Sequence, residues 1–199
     1  MMLERAFRGP FFLYYSMNFI YQAYLDDPSI CDGVINFHEQ SKSRAPGMVM
    51  TERGRVIDKT LKDSVDTQLA GPLASVYFAQ LDKIIKAYIA KYPQCNMYAP
   101  WGITQPANVQ KYPPCGGYFS WHTERSNADP ITSSRHLVFM TYLNDVTDGG
   151  ETEFALQELK VQPRKGLTLI WPADWTHTHR GVPSPTQTKY VVTGWLCYL

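Results

Sequence analysis

Two histidine-containing segments in the second half of the chain could hold a metal ion. His122 and Glu124 stand two residues apart, and residues at that spacing in a β-strand point to the same face. Further on, His177 and His179 repeat the same spacing. One of them would complete a set of two histidines and one carboxylate, which leaves three coordination positions of iron(II) open. Strand alternation alone does not separate His177 from His179 as the third ligand.

Lys189 could bind an organic anion beside such a metal. It opens an apolar segment that includes Val191 and Leu196, where an ammonium group is unfavourable unless it meets an anion. At a pocket wall it could hold the far carboxylate of a dicarboxylate by a charge-assisted hydrogen bond. Thr193 and Trp195 alternate with Lys189 and should share its face. Trp195 is therefore a further candidate for binding the anion.

The first half of the chain is expected to support this site with helices and loops. Asp26-Asp27-Pro28 is typical of a helix start and predicts a helix to about residue 39. Residues 41–62 lack a steady period and predict a long loop or irregular strands. Residues 73–92 carry apolar side chains at helical spacing between two prolines, which predicts a helix of roughly 30 Å.

The second half predicts short strands separated by turns. The candidate strands are residues 109–112, 118–121, 136–144, 151–154, 166–171 and 189–198, with Asp148-Gly149-Gly150 as a turn between two of them. Helices followed by many strands predict an α+β fold with a β-sandwich or barrel as its C-terminal body. We expect a single domain over residues 1–199, with helical and loop support in 1–108 and the β core and metal site in 109–199.

Composition sets wider limits on what the protein does. The chain has 199 residues, of which 44% are hydrophobic and 19% charged, with a formal net charge of +1. These values are ordinary for a globular protein and predict neither a nucleic-acid partner nor a membrane span. Four widely spaced cysteines form no CxxC pair, so reduced thiols are expected. With no leader-like start, a cytoplasmic location is the expectation.

Taken together, these motifs resemble the prolyl 4-hydroxylase-like branch of the iron(II)/2-oxoglutarate oxygenases. The matching elements, in chain order, are His122-x-Glu124, Tyr142–Asp145 (YLND), Gly149–Thr152 (GGET), Pro163–Gly166, and the spaced set His179, Gly181, Pro183, Lys189 and Trp195. The resemblance covers residues 109–199. It implies a double-stranded β-helix, the cupin-like jelly roll, with supporting N-terminal helices.

The resemblance also implies roles for single residues. His179, which is followed by a glycine and a proline, matches the distal iron ligand better than His177 does. Lys189 matches the basic residue that anchors 2-oxoglutarate. Tyr112 matches a tyrosine that hydrogen-bonds the oxo-acid, and Tyr142 matches one beside its distal carboxylate. Both tyrosines could equally be buried residues of the sheet.

The implied activity is hydroxylation of an organic substrate, either peptidyl-proline or another small amino-acid-like compound. The cofactors would be Fe(II), 2-oxoglutarate as cosubstrate and O2, with release of succinate and CO2, and with ascorbate as a possible reductant. The metal would carry out the oxidation while the protein fixes geometry. The oligomeric state does not follow from the sequence.

Some features depart from the pattern or stay open. The branch has aspartate where this chain has Glu124, so a non-catalytic jelly-roll protein that binds metal or ligand is an alternative. A zinc hydrolase on the same ligands is another, although it leaves Lys189 without a role. Arg125 and Arg180, each beside a candidate ligand, could contact an acidic substrate or be solvated rim charges. Of the remaining histidines, His38 is expected at the surface or packed on a helix, and His136 is expected within a strand beside Arg135.

Overall fold

The computed structural model describes residues 18–51, 54–126 and 129–199. The strands are β1 (Tyr21–Tyr24), β2 (Ala45–Pro46), β3 (Val49–Thr51), β4 (Gly54–Val56), β5 (Val65–Gln68), β6 (Trp101–Gly102), β7 (Asn108–Tyr112), β8 (Arg135–Tyr142), β9 (Thr152–Phe154), β10 (Leu159–Val161), β11 (Leu167–Pro172), β12 (His179–Gly181) and β13 (Lys189–Tyr198). The helices are α1 (Ile30–Gln40), α2 (Gly71–Lys91) and α3 (Pro130–Ser133), with 3-10 turns at Pro93–Asn96 and Trp175–His177.

Helix α2 forms because its apolar side chains repeat at helical spacing. It begins with a proline in its first turn and ends before Pro93, as the sequence predicts for residues 73–92. Its buried residues, among them Tyr77, Leu81 and Tyr88, pack in one cluster with β8 and β13. The Tyr77 hydroxyl lies 2.8 Å from the Thr141 hydroxyl on β8. The helix therefore backs the large sheet on the side away from the candidate site.

Two sheets form the body of the molecule. The large sheet is antiparallel in the order β1-β11-β8-β13-β7-β5-β2, with β6 paired to β13. The small sheet has the order β10-β9-β12, and β3 with β4 forms a separate hairpin. A second core cluster joins the two sheets, with Val138, Leu169 and Val191 from the large sheet and Phe154 and Val161 from the small one. This arrangement of facing antiparallel sheets with supporting helices matches the predicted α+β jelly roll.

Alternation along the central strands separates the two faces of the large sheet. On β8, Leu137 and Phe139 belong to the cluster under the helices, whereas Val138 and Tyr142 belong to the cluster between the sheets. This period of two puts alternate residues of each strand toward the small sheet. The face between the sheets is the one that carries the site.

Two predictions about the strands need correction. Residues 118–121 form no strand, because Tyr118 bridges Lys62 while His122 bridges His179, so neighbouring positions pair with different segments and no ladder develops. Residues before 109 contribute more than helices and loops, since β1 and β5 are strands of the large sheet. Whether residues 1–199 act as one domain stays a prediction. No helix of the described ranges is long and apolar enough to cross a lipid bilayer.

Candidate metal and cosubstrate site

A cavity of about 1010 Å³ opens between the large sheet, the small sheet and the β3–β4 hairpin. Its lining includes the candidate ligands His122, Glu124 and His179, together with Lys189 and Trp195. The structure thus brings to one cavity residues that lie far apart in the chain. Cavities of this size accommodate small-molecule ligands.

Three donor atoms converge in this cavity. The Nε2 atoms of His122 and His179 each lie 3.6 Å from Oε1 of Glu124. Within the described parts of the chain, one donor atom from each residue lies within 4.8 Å of the others. Two imidazoles and one carboxylate gathered in this way fit a single transition-metal ion with open positions.

The two histidines are paired by the backbone rather than by alternation along one strand. The His122 N–H donates to the His179 carbonyl at 3.0 Å, and the His179 N–H donates back at 2.9 Å. They therefore sit directly opposite each other in an antiparallel bridge, with ring centroids 4.3 Å apart. This bridge holds the segment of residues 122–124 against β12 of the small sheet.

Hydrogen bonds to backbone carbonyls orient both rings for coordination. Nδ1 of His122 lies 3.0 Å from the Ser120 carbonyl oxygen, and Nδ1 of His179 lies 2.9 Å from the His177 carbonyl oxygen. Since a carbonyl can only accept, each Nδ1 carries the proton and each Nε2 presents its lone pair to the cavity. Burial, followed by the nearby His179, lowers the pKa of His122, which favours the neutral form that binds metals.

Aromatic rings pack around these ligands. The Tyr118 ring is stacked on His122, with centroids 3.6 Å apart and planes 9° from parallel. Trp171 and Phe154 lie against His179 at centroid distances of 5.1 and 5.6 Å. Rings held on several sides lose rotamer freedom before any ligand binds, so the histidines are preorganised. Sequence reasoning missed Tyr118, for which no spacing pattern was available.

Glu124 is charged despite its burial. Burial opposes ionisation, but the adjacent His122 and His179 rings lower the pKa of its carboxyl group well below the usual range. Its other oxygen, Oε2, accepts from Trp195 Nε1 at 2.9 Å and from Arg135 at 3.3 Å. Trp195 lines the cavity and contacts Glu124, and its role in binding the cosubstrate stays a prediction. Arg135 was not among the predicted site residues.

The structure separates His177 from His179. His177 lies in a 3-10 turn, and its Nε2 is 2.8 Å from the Asn18 carbonyl oxygen. Its Nδ1 is 3.0 Å from the Thr176 hydroxyl, so both ring nitrogens have partners outside the cavity. The expectation that both histidines share one face of a strand is wrong, because β12 begins only at His179.

Lys189 is a buried cation on the wall of the same cavity. Its Nζ donates to the Gly150 carbonyl at 2.8 Å and lies 5.1 Å from the centroid of the Tyr112 ring. In the described part of the chain it forms no ion pair. Burial lowers the pKa of Lys189 to about 8. A cation in this setting is stabilised by an anion that enters the cavity.

The two predicted tyrosines are placed differently. Tyr112 lines the cavity, and its hydroxyl donates to Gln110 at 2.9 Å. Tyr142 is fully buried, and its hydroxyl lies 2.6 Å from the Thr152 hydroxyl and 3.1 Å from the Val161 carbonyl. Tyr142 is not among the residues that line the cavity. Its position fits the alternative interpretation, in which it is a buried tyrosine of the sheet. Tyr112 remains available to a ligand.

The residues predicted to be peripheral lie around the site or away from it. Arg180 lines the cavity, donates to Glu153 at 2.8 Å and lies 4.5 Å over the Trp121 ring. Arg125 is 3.4 Å from Asp174 and does not line the cavity. Nε2 of His38 lies 2.9 Å from the Val65 carbonyl, and Nε2 of His136 lies 2.9 Å from the Cys95 carbonyl. His38 is buried on α1 rather than at the surface, and His136 lies on β8, as expected.

Comparison with known proteins identifies a matching family. Residues 107–197 match the family model described as the 2OG-Fe(II) oxygenase superfamily. A curated relative, probable prolyl 4-hydroxylase 9 of Arabidopsis thaliana, is 33% identical over 89 residues, covering 34% of this chain and 31% of the relative. The match therefore spans about a third of that protein's length.

Solved structures share the fold. The viral collagen prolyl hydroxylase of Paramecium Bursaria Chlorella virus-1, solved with 2-oxoglutarate, gives a TM-score of 0.68 at 18% identity, covering 91% of this chain and 97% of that one. A prolyl-4-hydroxylase of Pseudomonas putida gives 0.66 at 16% identity, covering 90% and 92%. A prolyl hydroxylase of Trichoplax adhaerens, solved with a peptide of hypoxia inducible factor, gives 0.69 at 18%, covering 92% and 84%. At these identities the likeness confirms the predicted jelly-roll fold.

Proposed function

We propose that this chain is an Fe(II)- and 2-oxoglutarate-dependent hydroxylase of the prolyl 4-hydroxylase-like branch, on the premise that its residues 107–197 match the 2OG-Fe(II) oxygenase superfamily and resemble a prolyl 4-hydroxylase. One observation carries the proposal. A set of two histidines and one carboxylate shares its cavity with a buried lysine that forms no ion pair among the described residues. The first feature fits iron(II), and the second fits a dicarboxylate.

The residues present fit the metal that the family uses. His122, Glu124 and His179 would hold iron, because their donor atoms converge and both histidines present Nε2 lone pairs. Bound iron supplies the oxidising chemistry, in which O2 and 2-oxoglutarate are consumed, succinate and CO2 are released, and a substrate C–H bond is hydroxylated. The protein's share is to fix the ligands in a cavity walled by aromatic rings.

Lys189 would bind and orient the cosubstrate. Its ammonium group lies on the cavity wall beside the Tyr112 ring, where it would meet the distal carboxylate of 2-oxoglutarate. A charge-assisted hydrogen bond in a buried setting orients the bound ligand and also raises its affinity. The opposite, oxo-acid end would then be free to face the histidines.

The substrate is proposed to be a peptide, with peptidyl-proline as the first candidate and a free amino acid as the alternative. Neutral amides also line the cavity, from Gln68 on β5 and from Asn108 and Gln110 on β7. Amide side chains both donate and accept, as a peptide backbone does. Met48 and Met50 add apolar surface to the same cavity. The Trichoplax relative in the same fold was solved with a peptide bound, which supports this choice.

The proposal is tested by substrate-dependent turnover. Purified protein with Fe(II), 2-oxoglutarate, ascorbate and O2 should form succinate when a proline-containing peptide with blocked ends is supplied. Free L-proline tests the small-substrate alternative. The His179→Ala variant and an anaerobic reaction are the controls, and both should be inactive. Succinate formation that persists in His179→Ala would contradict the proposed iron site.

A further inference from the structure

The acidic ligand is held at its second oxygen by two side chains. Oε1 of Glu124 faces both histidine Nε2 atoms at 3.6 Å. Oε2 accepts from Trp195 Nε1 at 2.9 Å and lies 3.3 Å from Arg135 Nη1. The two oxygens of one carboxylate therefore have separate tasks, and only Oε1 is directed at the histidines.

Arg135 is buried and held by contacts with Glu124 and Trp195. It is 9% exposed, and its guanidinium carbon lies 3.5 Å from the centroid of the Trp195 ring. It also donates to the main-chain carbonyl of Glu124 at 2.9 Å. The arginine thus makes two hydrogen bonds to Glu124 and lies against the Trp195 ring of β13. These contacts restrict its side chain to few conformations.

A register shift in the large sheet aims Arg135 into the cavity. Trp195 pairs with Val138 and Leu196 with Leu137, but Cys197 pairs with Arg135, so His136 is skipped. Strict alternation from Val138 would send His136 toward the cavity and Arg135 away from it. The bulge reverses that order, and re-aiming a side chain near a functional site is a known use of β-bulges. Arg135 lines the cavity as a result.

We propose that Arg135 and Trp195 are positioning residues matched to the length of glutamate at position 124. An aspartate there would be shorter by one C–C bond, about 1.5 Å, and could not reach both the Arg135–Trp195 pair and the histidines. The pair therefore makes glutamate the better metal ligand in this chain, although the branch that it resembles has aspartate. With Oε2 occupied by the pair, Glu124 offers the metal one oxygen and leaves other positions open.

This inference rests on the proposed function, and metal affinity tests it without turnover. Apoprotein is titrated with Co(II) under anaerobic conditions, and the visible ligand-field absorption gives both the affinity and the coordination signature. Glu124→Asp should bind Co(II) about ten- to hundredfold more weakly than the wild-type protein, the usual effect of losing an outer contact to a ligand. Trp195→Phe, which keeps a ring beneath Arg135 but removes the N–H donor, should weaken binding in the same direction.

A double-mutant cycle separates positioning from a general structural effect. If Trp195 acts by holding glutamate, Glu124→Asp should weaken Co(II) binding less in the Trp195→Phe background than in the wild-type background. The matched control is Trp175→Phe, since Trp175 is 70% exposed and does not line the cavity. It should leave Co(II) affinity and absorption unchanged. Arg135→Lys gives a second route to the same answer if Trp195→Phe folds poorly.

The outcomes are distinguishable. Equal or tighter Co(II) binding by Glu124→Asp, or additive effects in the cycle, would overturn the matched-length proposal while leaving the iron site intact. Failure of the folded wild-type protein to bind Co(II) at all would overturn the proposed function, and the positioning role with it. Weaker binding by Glu124→Asp that is relieved in the Trp195→Phe background supports the proposal.

Discussion

At the scale of single residues, Lys189 is the group whose surroundings most require a ligand. It is 4% exposed and has a backbone carbonyl and an aromatic ring as its contacts. Burying a charge without an ionic partner is unfavourable, so the folded protein tolerates this lysine at some loss of stability. A dicarboxylate in the cavity would reverse that loss.

Replacing Lys189 should therefore separate ligand binding from stability. In Lys189→Met, the Kd for 2-oxoglutarate in Mn(II)-loaded protein should rise about ten- to hundredfold, because a hydrogen bond to a charged group contributes about 1.5–3 kcal/mol. The melting temperature without ligand should stay the same or rise. Calorimetric titration and thermal unfolding measure the two effects. The control is Lys165→Met, which removes an ammonium group that pairs with Asp32 outside the cavity.

The same residue predicts how cosubstrate binding depends on pH. Burial lowers the pKa of Lys189 to about 8, so the free protein loses the charge as pH rises through that value. A bound carboxylate favours the ammonium form, hence the 2-oxoglutarate affinity should fall as pH increases from 7 to 9.5. The measurement is the Kd at several pH values in wild type and Lys189→Met. If the Kd for 2-oxoglutarate changed with pH to the same extent in both proteins, a group other than Lys189 would be responsible for the pH dependence.

At the scale of elements, the paired strands β8 and β13 contribute residues to both faces of the large sheet. One face lines the cavity, and the other packs against the helices. Gly194 on β13 lies over Phe139, and a Cβ at position 194 would come within 2.3 Å of that ring. Phe139 is fully buried, so the ring has little room to move. A side chain on Gly194 would push apart the two strands that hold Arg135 and Trp195.

Gly194→Ala should for this reason destabilise the fold. Overpacking in a close-packed core typically costs about 1–3 kcal/mol, to be read from denaturant unfolding of the apoprotein. Gly102→Ala on the neighbouring strand β6 is a matched control, because a Cβ there would meet no heavy atom within 4 Å. A Gly194→Ala protein as stable as the control variant would mean that the β8–β13 contact is looser than described.

The elements and residues that the sequence predicts are those with a local pattern. Helix α2 and the long strands β8, β11 and β13 follow from periodicity, and His122, Glu124, His179 and Lys189 follow from residue type and spacing. Arg135 could not be found in this way, since alternation from Phe139 and Leu137 assigns it to the helix side. The bulge that reverses its direction depends on pairing with β13. Likewise, the His122–His179 bridge joins distant segments and leaves no local pattern.

At the scale of the whole molecule, metal binding should be coupled to stability. The candidate ligands are connected to both sheets. Glu124 accepts hydrogen bonds from Arg135 on β8 and Trp195 on β13 of the large sheet, and His179 lies on β12 of the small sheet. A metal that binds only when the sheets face each other stabilises the native state by mass action. Loss of one ligand should remove this coupling without abolishing the fold.

We expect Mn(II) at a hundred times its Kd to stabilise the wild-type protein by about 2.7 kcal/mol. Thermal unfolding with Mn(II) and with a chelator measures this difference. His179→Ala should show no Mn(II)-dependent shift at the same concentration, whereas His177→Ala should keep the shift, because both His177 nitrogens face other partners. An unchanged shift in His179→Ala would exclude His179 as a ligand.

The measurement that tests the central claim most directly is an anaerobic titration of apoprotein with Fe(II) and then 2-oxoglutarate. We predict a visible metal-to-ligand charge-transfer band that needs both additions and is absent in His179→Ala. The band would establish that the oxo-acid chelates iron in this cavity. Folded protein that binds Fe(II) and 2-oxoglutarate without such a band would contradict the account and favour a non-catalytic binding protein.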